Sequence, residues 1–139
     1  MALIESEIVS VNASVEKVFD FLKDINNFRL LLPEDKLESW EANETDCFFS
    51  IKGLPSIRLC LEATVANSSV ILVTVDKKPL DMQLTFNLQD NIKKTCDLQV
   101  VIDVEINNFM LSMVQKPLEN FINMFGVKLN EIMQDNQAG

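Results

Sequence analysis

Residues 107–134 read NNFMLSMVQKPLENFINMFGVKLNEIMQ, and the spacing of their apolar side chains decides the fold. On a 3.6-residue helix, Met110, Val114, Leu118, Phe121, Phe125, Leu129 and Ile132 fall on one stripe. Leu111 and Ile122 widen it on one side, Met113 and Met124 on the other. Glu119, Asn120, Asn123, Asn130 and Gln134 take the opposite face. An arc that wide exceeds what a helix needs against a flat partner, and suits a helix gripped by a curved sheet. Pro117 has no N–H for the Met113 carbonyl and crowds that turn. It predicts a kink, or a break with a new helix starting near Pro117.

Upstream of this stretch the period changes to 2. Lys36 to Ala42 reads as a strand carrying Trp40, and Asp46 to Lys52 as a strand with Cys47, Phe49 and Ile51 on one face. Ile57, Leu59, Leu61, Ala63 and Val65 alternate with polar positions, as a half-buried strand does. Val70 to Asp76 is more uniformly apolar and is expected to be covered in part on both faces. Met82 to Leu88 and Cys96 to Val104 alternate again. The joints are a tight turn within Asn43 to Thr45, then Gly53-Leu54-Pro55, Asn67-Ser68, Lys77-Lys78-Pro79 and Asp90-Asn91. Strands joined so closely make an antiparallel meander. Residues 3–11 form a first strand of ambiguous facing. Ile4 and Ile8 point one way, Leu3, Val9 and Val11 the other. Asn12 or Ser14 then caps a short helix carrying Val15, Val18, Phe19, Leu22 and Ile25. Lys17 stands three residues after Ser14, so there is no capping box. A second short helix runs from Asn26 or Asn27 through Leu32 and is limited by Pro33.

The chain has 139 residues, with 21 acidic against 12 basic side chains and a net charge of −9. That balance argues against nucleic acid, whose affinity comes from Lys and Arg on phosphates, and against docking on anionic membranes. No run approaches the ~18 consecutive apolar residues of a membrane span, so no stable membrane insertion is expected. The opening MALIESEIVS has no basic region ahead of an apolar core, so no signal peptide is read and a cytoplasmic location is expected. One domain, residues 1–139, accounts for the length. Cys47, Cys60 and Cys96 form no CxxC pair and read as reduced thiols. With histidine absent, no metal site is expected, and no cofactor.

The stretch VNASVEKVFDFLKD (residues 11–24), followed by Asn27 and Leu31-Leu32-Pro33, resembles the opening of the START-like, Bet v 1-like superfamily. That superfamily (SRPBCC) includes polyketide cyclases and lipid-transport proteins. The element order is similar from about Ile4 to Met133. The resemblance implies an α+β helix-grip fold: a seven-stranded antiparallel sheet curved around the C-terminal helix. It also implies two short helices after strand 1 that plug one end of a cavity between sheet and helix. The superfamily covers carriers, cyclases, hydroxylase components and chaperone activators, so the fold does not fix the function.

Such a cavity would take its helix wall from Met110, Val114, Phe121 and Phe125, and its sheet wall from Phe49, Leu59, Phe86, Leu98 and Val100. Phe28, Leu32 and Trp40 would stand near its mouth. The competing reading is a core that these bulky residues simply fill. Lys128, at the edge of the stripe near Phe121 and Phe125, is the candidate polar anchor for a carboxylate ligand. Its competing reading is a snorkelling stem with the ammonium in water. The chain has no His and no Tyr, which removes the commonest general base and a phenol donor. Glu62, Asp90, Asp97 and Asp103 fall on outward positions or turns, and Asp20 and Asp24 beside the polar face of the first helix. The expected function is non-catalytic binding or transport of a small hydrophobic, lipid- or polyketide-like ligand. The alternatives are a cyclase- or dehydratase-type enzyme and a protein-interaction module with a filled core. Oligomeric state stays open.

Overall fold

Asn107 opens the long helix by capping it: its Oδ1 accepts a 2.8 Å hydrogen bond from the Met110 N–H. In the computed structural model, which describes residues 2–77 and 80–138 and side chains as far as Gln134, this helix, α2, spans Asn108–Ala138 without a break. The expected restart at Pro117 does not occur. Proline inside a helix costs about 3 kcal/mol, but Val114, Leu118 and Phe121 on either side of it are buried, and their packing holds the turn. Phe125, Leu129 and Met133 continue the buried face. Met113, expected on the buried arc, is instead 60% exposed, because the first turns of α2 precede the packed segment.

Eight strands form one antiparallel sheet: β1 (Ala2–Glu5), β2 (Val9–Val11), β3 (Leu37–Ala42), β4 (Asp46–Ile51), β5 (Ile57–Val65), β6 (Ser69–Thr74), β7 (Asp81–Asp90) and β8 (Cys96–Glu105). Their spatial order is β1-β8-β7-β6-β5-β4-β3, with β2 also on β8. Between β2 and β3 lie α1 (Val15–Leu22), capped by Ser14, whose Oγ accepts from the Lys17 N–H, and a 3-10 helix (Ile25–Leu31) capped by Asp24. Leu32 is already extended, as a residue before proline prefers. The alternation of β4, β7 and β8 is reproduced: Cys47, Phe49 and Ile51, then Met82 to Leu88, then Cys96 to Val104 bury every second side chain. β5 departs from expectation. Ile57 and Leu59 are buried, but Leu61, Ala63 and Val65 are exposed, beyond a bulge between Leu61 and Ala63 where the strand runs past the core. The Lys77-Lys78-Pro79 joint lies partly outside the described residues.

The ambiguous first strand is two segments. β1 pairs Ala2 with Val104 and Glu5 with Val101, whereas β2 pairs Val9 with Leu98. Four steps along the N-terminal segment therefore match three along β8. The extra residue resets the two-residue alternation, so Ile4 and Val11 both face the core although their numbers differ in parity. Ser6 holds the break: its N–H donates to the Val100 carbonyl, and its Oγ accepts the Val100 N–H, both at 2.8 Å.

α2 crosses this N-terminal segment at Gly126. A Cβ built there would lie 3.0 Å from Val9 Cβ and Cγ2 and 3.2 Å from Cγ1. Two helix asparagines flank the crossing. Asn123 Oδ1 accepts the Glu7 N–H and Asn130 Oδ1 accepts the Asn12 N–H, each at 3.0 Å. Under the helix the centre is aromatic. Phe28 lies 5.6 Å from both Phe49 and Phe125, Phe86 5.6 Å from Phe125, Phe121 4.7 Å from Phe125, and Trp40 stacks on Phe49 at 6.3 Å.

Two stability measurements test this packing. Gly126→Ala gains about 1 kcal/mol of helix propensity but overpacks Val9, at a cost of about 1–3 kcal/mol. We expect a lower urea midpoint, partly restored by adding Val9→Ala, which deletes two of the three crowding atoms. A stabilised Gly126→Ala would refute the tight crossing. Phe125→Ala should lose roughly 3–5 kcal/mol, because rings on three sides cannot collapse into the space. A loss of only about 1.5–3 kcal/mol, the transfer contribution alone, would mean that Phe125 borders open volume.

Candidate functional site

Where the aromatic cluster ends, a cleft of about 230 Å³ remains between α2 and two loops. Three parts of the chain build it. Pro33 and Lys36 come from the link after the 3-10 helix. Ile51, Lys52, Gly53 and Leu54 come from the end of β4 and the turn beyond it. Pro117, Asn120, Phe121 and Met124 come from α2. Gly53 makes the turn at φ +96°, a conformation that residues with side chains rarely adopt, and a Cβ there would meet nothing within 4 Å. Ile51 and Phe121 are buried floor, Leu54 and Met124 are half-buried, and Lys36, Lys52 and Asn120 are exposed at the rim.

Of the twelve residues expected to line a cavity, Phe121 is the one that reaches this cleft. Phe28, Leu32, Phe49, Leu59, Phe86, Leu98, Val100, Val114 and Phe125 are buried, Met110 and Trp40 half-buried. Phe28 sits within the ring cluster, against Phe49 and Phe125. Lys128 is half-buried and stands outside the cleft lining. Among the cleft's other residues, Ile51 and Met124 belong to the apolar periodicities of their strand and helix, and the rest carry none. The usable signal was Pro117 together with the Gly53 turn, two backbone irregularities that here face one another.

A larger hollow, about 490 Å³, lies on the outward side of β4 and β5, against Glu41, Asp46, Phe48 and Arg58. It is a weaker candidate because an ion pair occupies it: Arg58 Nη2 donates to Asp46 Oδ2 at 2.6 Å. The Thr45 hydroxyl and the Arg58 guanidinium hold the Asp46 carboxyl below its usual value. That favours a fixed anion over a proton carrier. Two further hollows also carry carboxylates: Glu62, Asp81, Asp103 and Glu105 in one, and Asp76 in the other, which reaches buried Ile57 and Leu80. All three thiols are shifted away from the thiolate form. Burial pushes Cys47 up to about 12 and Cys96 up to about 11, and burial followed by the Asp46 and Glu62 charges raises Cys60.

Among the described residues no helix is long and apolar enough to cross a membrane. No protein-family model matches the chain, and no curated protein sequence matches it. Solved structures do. The protein XoxI from Bacillus cereus superposes with a TM-score of 0.69 at 12% identity, covering 99% of both chains. A START superfamily protein from Mycobacterium smegmatis gives 0.68 at 12% identity, over 94% of this chain and 98% of that one. The Aha1 dimer from Colwellia psychrerythraea gives 0.62 at 15% identity, over 94% and 96%. With its antiparallel sheet, two short helical segments and long C-terminal helix, and with these superpositions, the chain has the START-like, Bet v 1-like helix-grip fold.

Proposed function

We propose that the protein binds a small hydrophobic ligand, without chemistry, in the cleft between α2 and the loops at Pro33–Lys36 and Lys52–Leu54. The observation that carries this reading is an apolar floor, Ile51, Leu54, Phe121 and Met124, left open in a core otherwise closed by stacked rings. At about 230 Å³ the space falls below the roughly 300–1,000 Å³ of drug-sized pockets. The ligand is therefore small, or only one end of a longer molecule enters. The lining offers two ammonium groups and one amide as its polar side chains, and neither a carboxylate nor a hydroxyl or thiol nucleophile. That supports binding over a cyclase- or dehydratase-type reaction. The START-like fold supports the same reading as a scaffold that forms such a recess.

The test is uptake of the neutral, environment-sensitive dye N-phenyl-1-naphthylamine. Wild type should bind it saturably. Met124→Trp, which fills the cleft from its half-buried edge, should weaken binding at least about tenfold, a loss of about 1.4 kcal/mol, with little change in the thermal midpoint. Phe48→Ala, on the outward face of β4, should leave uptake unchanged. If wild type takes up no dye saturably, or if Met124→Trp binds as well as wild type, the cleft reading is rejected. The ring-filled core then favours an interaction module.

A further inference from the structure

We infer that the ligand of this cleft is an anionic amphiphile, its apolar part on Phe121 and its carboxylate or similar oxyanion held at the rim by Lys36 and Lys52. The inference deepens the ligand-binding reading and rests on it. It begins from the strand register. β3 and β4 pair Ala42 with Cys47 and Ser39 with Ser50, so each pair of numbers sums to 89; after a bulge, Leu37 pairs with Ile51, which sums to 88. The next pair on that count is Lys36 with Lys52, and the Lys52 N–H indeed donates to the Lys36 carbonyl at 2.9 Å. The backbones of two lysines thus meet in the turns just past the paired ends of β3 and β4, and both residues line the cleft.

Like charges directly opposite on neighbouring strands repel and cost stability. The usual remedy is a neighbouring carboxylate, and this chain has 21 acids for 12 bases. Yet neither ammonium has an ion-pair partner among the described residues, and no carboxylate lines the cleft. The three other hollows described above each carry at least one. In a molecule of net charge −9, the lining of this recess carries two lysines and no carboxylate, and Glu34 and Asp35, which precede Lys36 in the chain, stand outside it. An anionic group placed between the two ammonium groups removes their repulsion, and Asn120 on α2 adds an amide donor at the same rim. A neutral ligand of the same shape gains only the floor. A cationic one meets both charges. The rim is exposed, so the preference is modest and weakens with salt.

The experiment compares three ligands with one eight-carbon chain: octanoate, 1-octanol and octylammonium. Each displaces N-phenyl-1-naphthylamine from the full-length protein. Octanoate should displace the dye at roughly three- to tenfold lower concentration than octanol, an order of magnitude set by two rim charges. Octylammonium should be weakest, and the spread should shrink as salt is raised. In Lys36→Glu/Lys52→Glu the order should invert while octanol stays where it was. Lys36→Glu alone also separates a binding role from a structural one. It replaces repulsion with a cross-strand ion pair, so it should raise the thermal midpoint yet lower the octanoate preference. Equal displacement by octanoate and octanol in wild type, or an octanoate preference that survives both substitutions, overturns the anionic assignment and leaves the cleft reading standing. Failure of all three ligands, with Met124→Trp silent toward the dye, overturns both.

Discussion

The depth at which the long helix sits is set by one contact, the bare Cα of Gly126 against Val9. The Val9 side chain there occupies the space that a Cβ at Gly126 would need. The asparagine side chains of Asn123 and Asn130 then tie the helix to backbone N–H groups of Glu7 and Asn12 on either side. Glycine inside a helix costs up to about 1 kcal/mol relative to alanine. The fold accepts that cost because the close approach lets Leu118, Phe121, Phe125 and Leu129 reach the concave face of the sheet, where they become fully or nearly fully buried.

That depth explains why the recess is small and lies at the edge. Under the helix, Phe28, Phe49, Phe86, Phe121 and Phe125 meet ring to ring across the middle. The cleft opens where the helix surface carries Pro117 and Asn120 and the opposing chain turns away at Gly53.

Strand positions buried on one face were legible in the sequence, because alternation in β4, β7 and β8 leaves little room for another register. The first strand was not legible. The Ser6 break inserts a residue and switches the facing midway, and no local propensity announces a bulge stabilised by a serine hydroxyl on Val100. The far half of β5 misled for a different reason: alternation records which side a residue faces, not whether anything covers it. The candidate site was less legible still. A helical wheel places Phe121 and Phe125 on one stripe, but not whether opposing rings fill the gap between helix and sheet. The lysine pair was hidden further. Counted straight from the turn at Glu44-Thr45, Lys36 would face Gly53, and only the bulge near Glu38 moves it opposite Lys52.

The same irregularity has a consequence for how molecules of this protein meet one another. β3 is the last strand on its side of the sheet, with β4 as its neighbour in the sheet order. A flat, regular terminal strand is a template onto which another chain can add, the first step toward filaments. Here the ladder is out of step between Leu37 and Ser39, and exposed Glu38 and Glu41 bring negative charge to the strand. A second copy approaching edge to edge would meet its own charges and a broken hydrogen-bonding rhythm. The register shift that brings the lysine backbones together thus also works against open-ended growth along this edge.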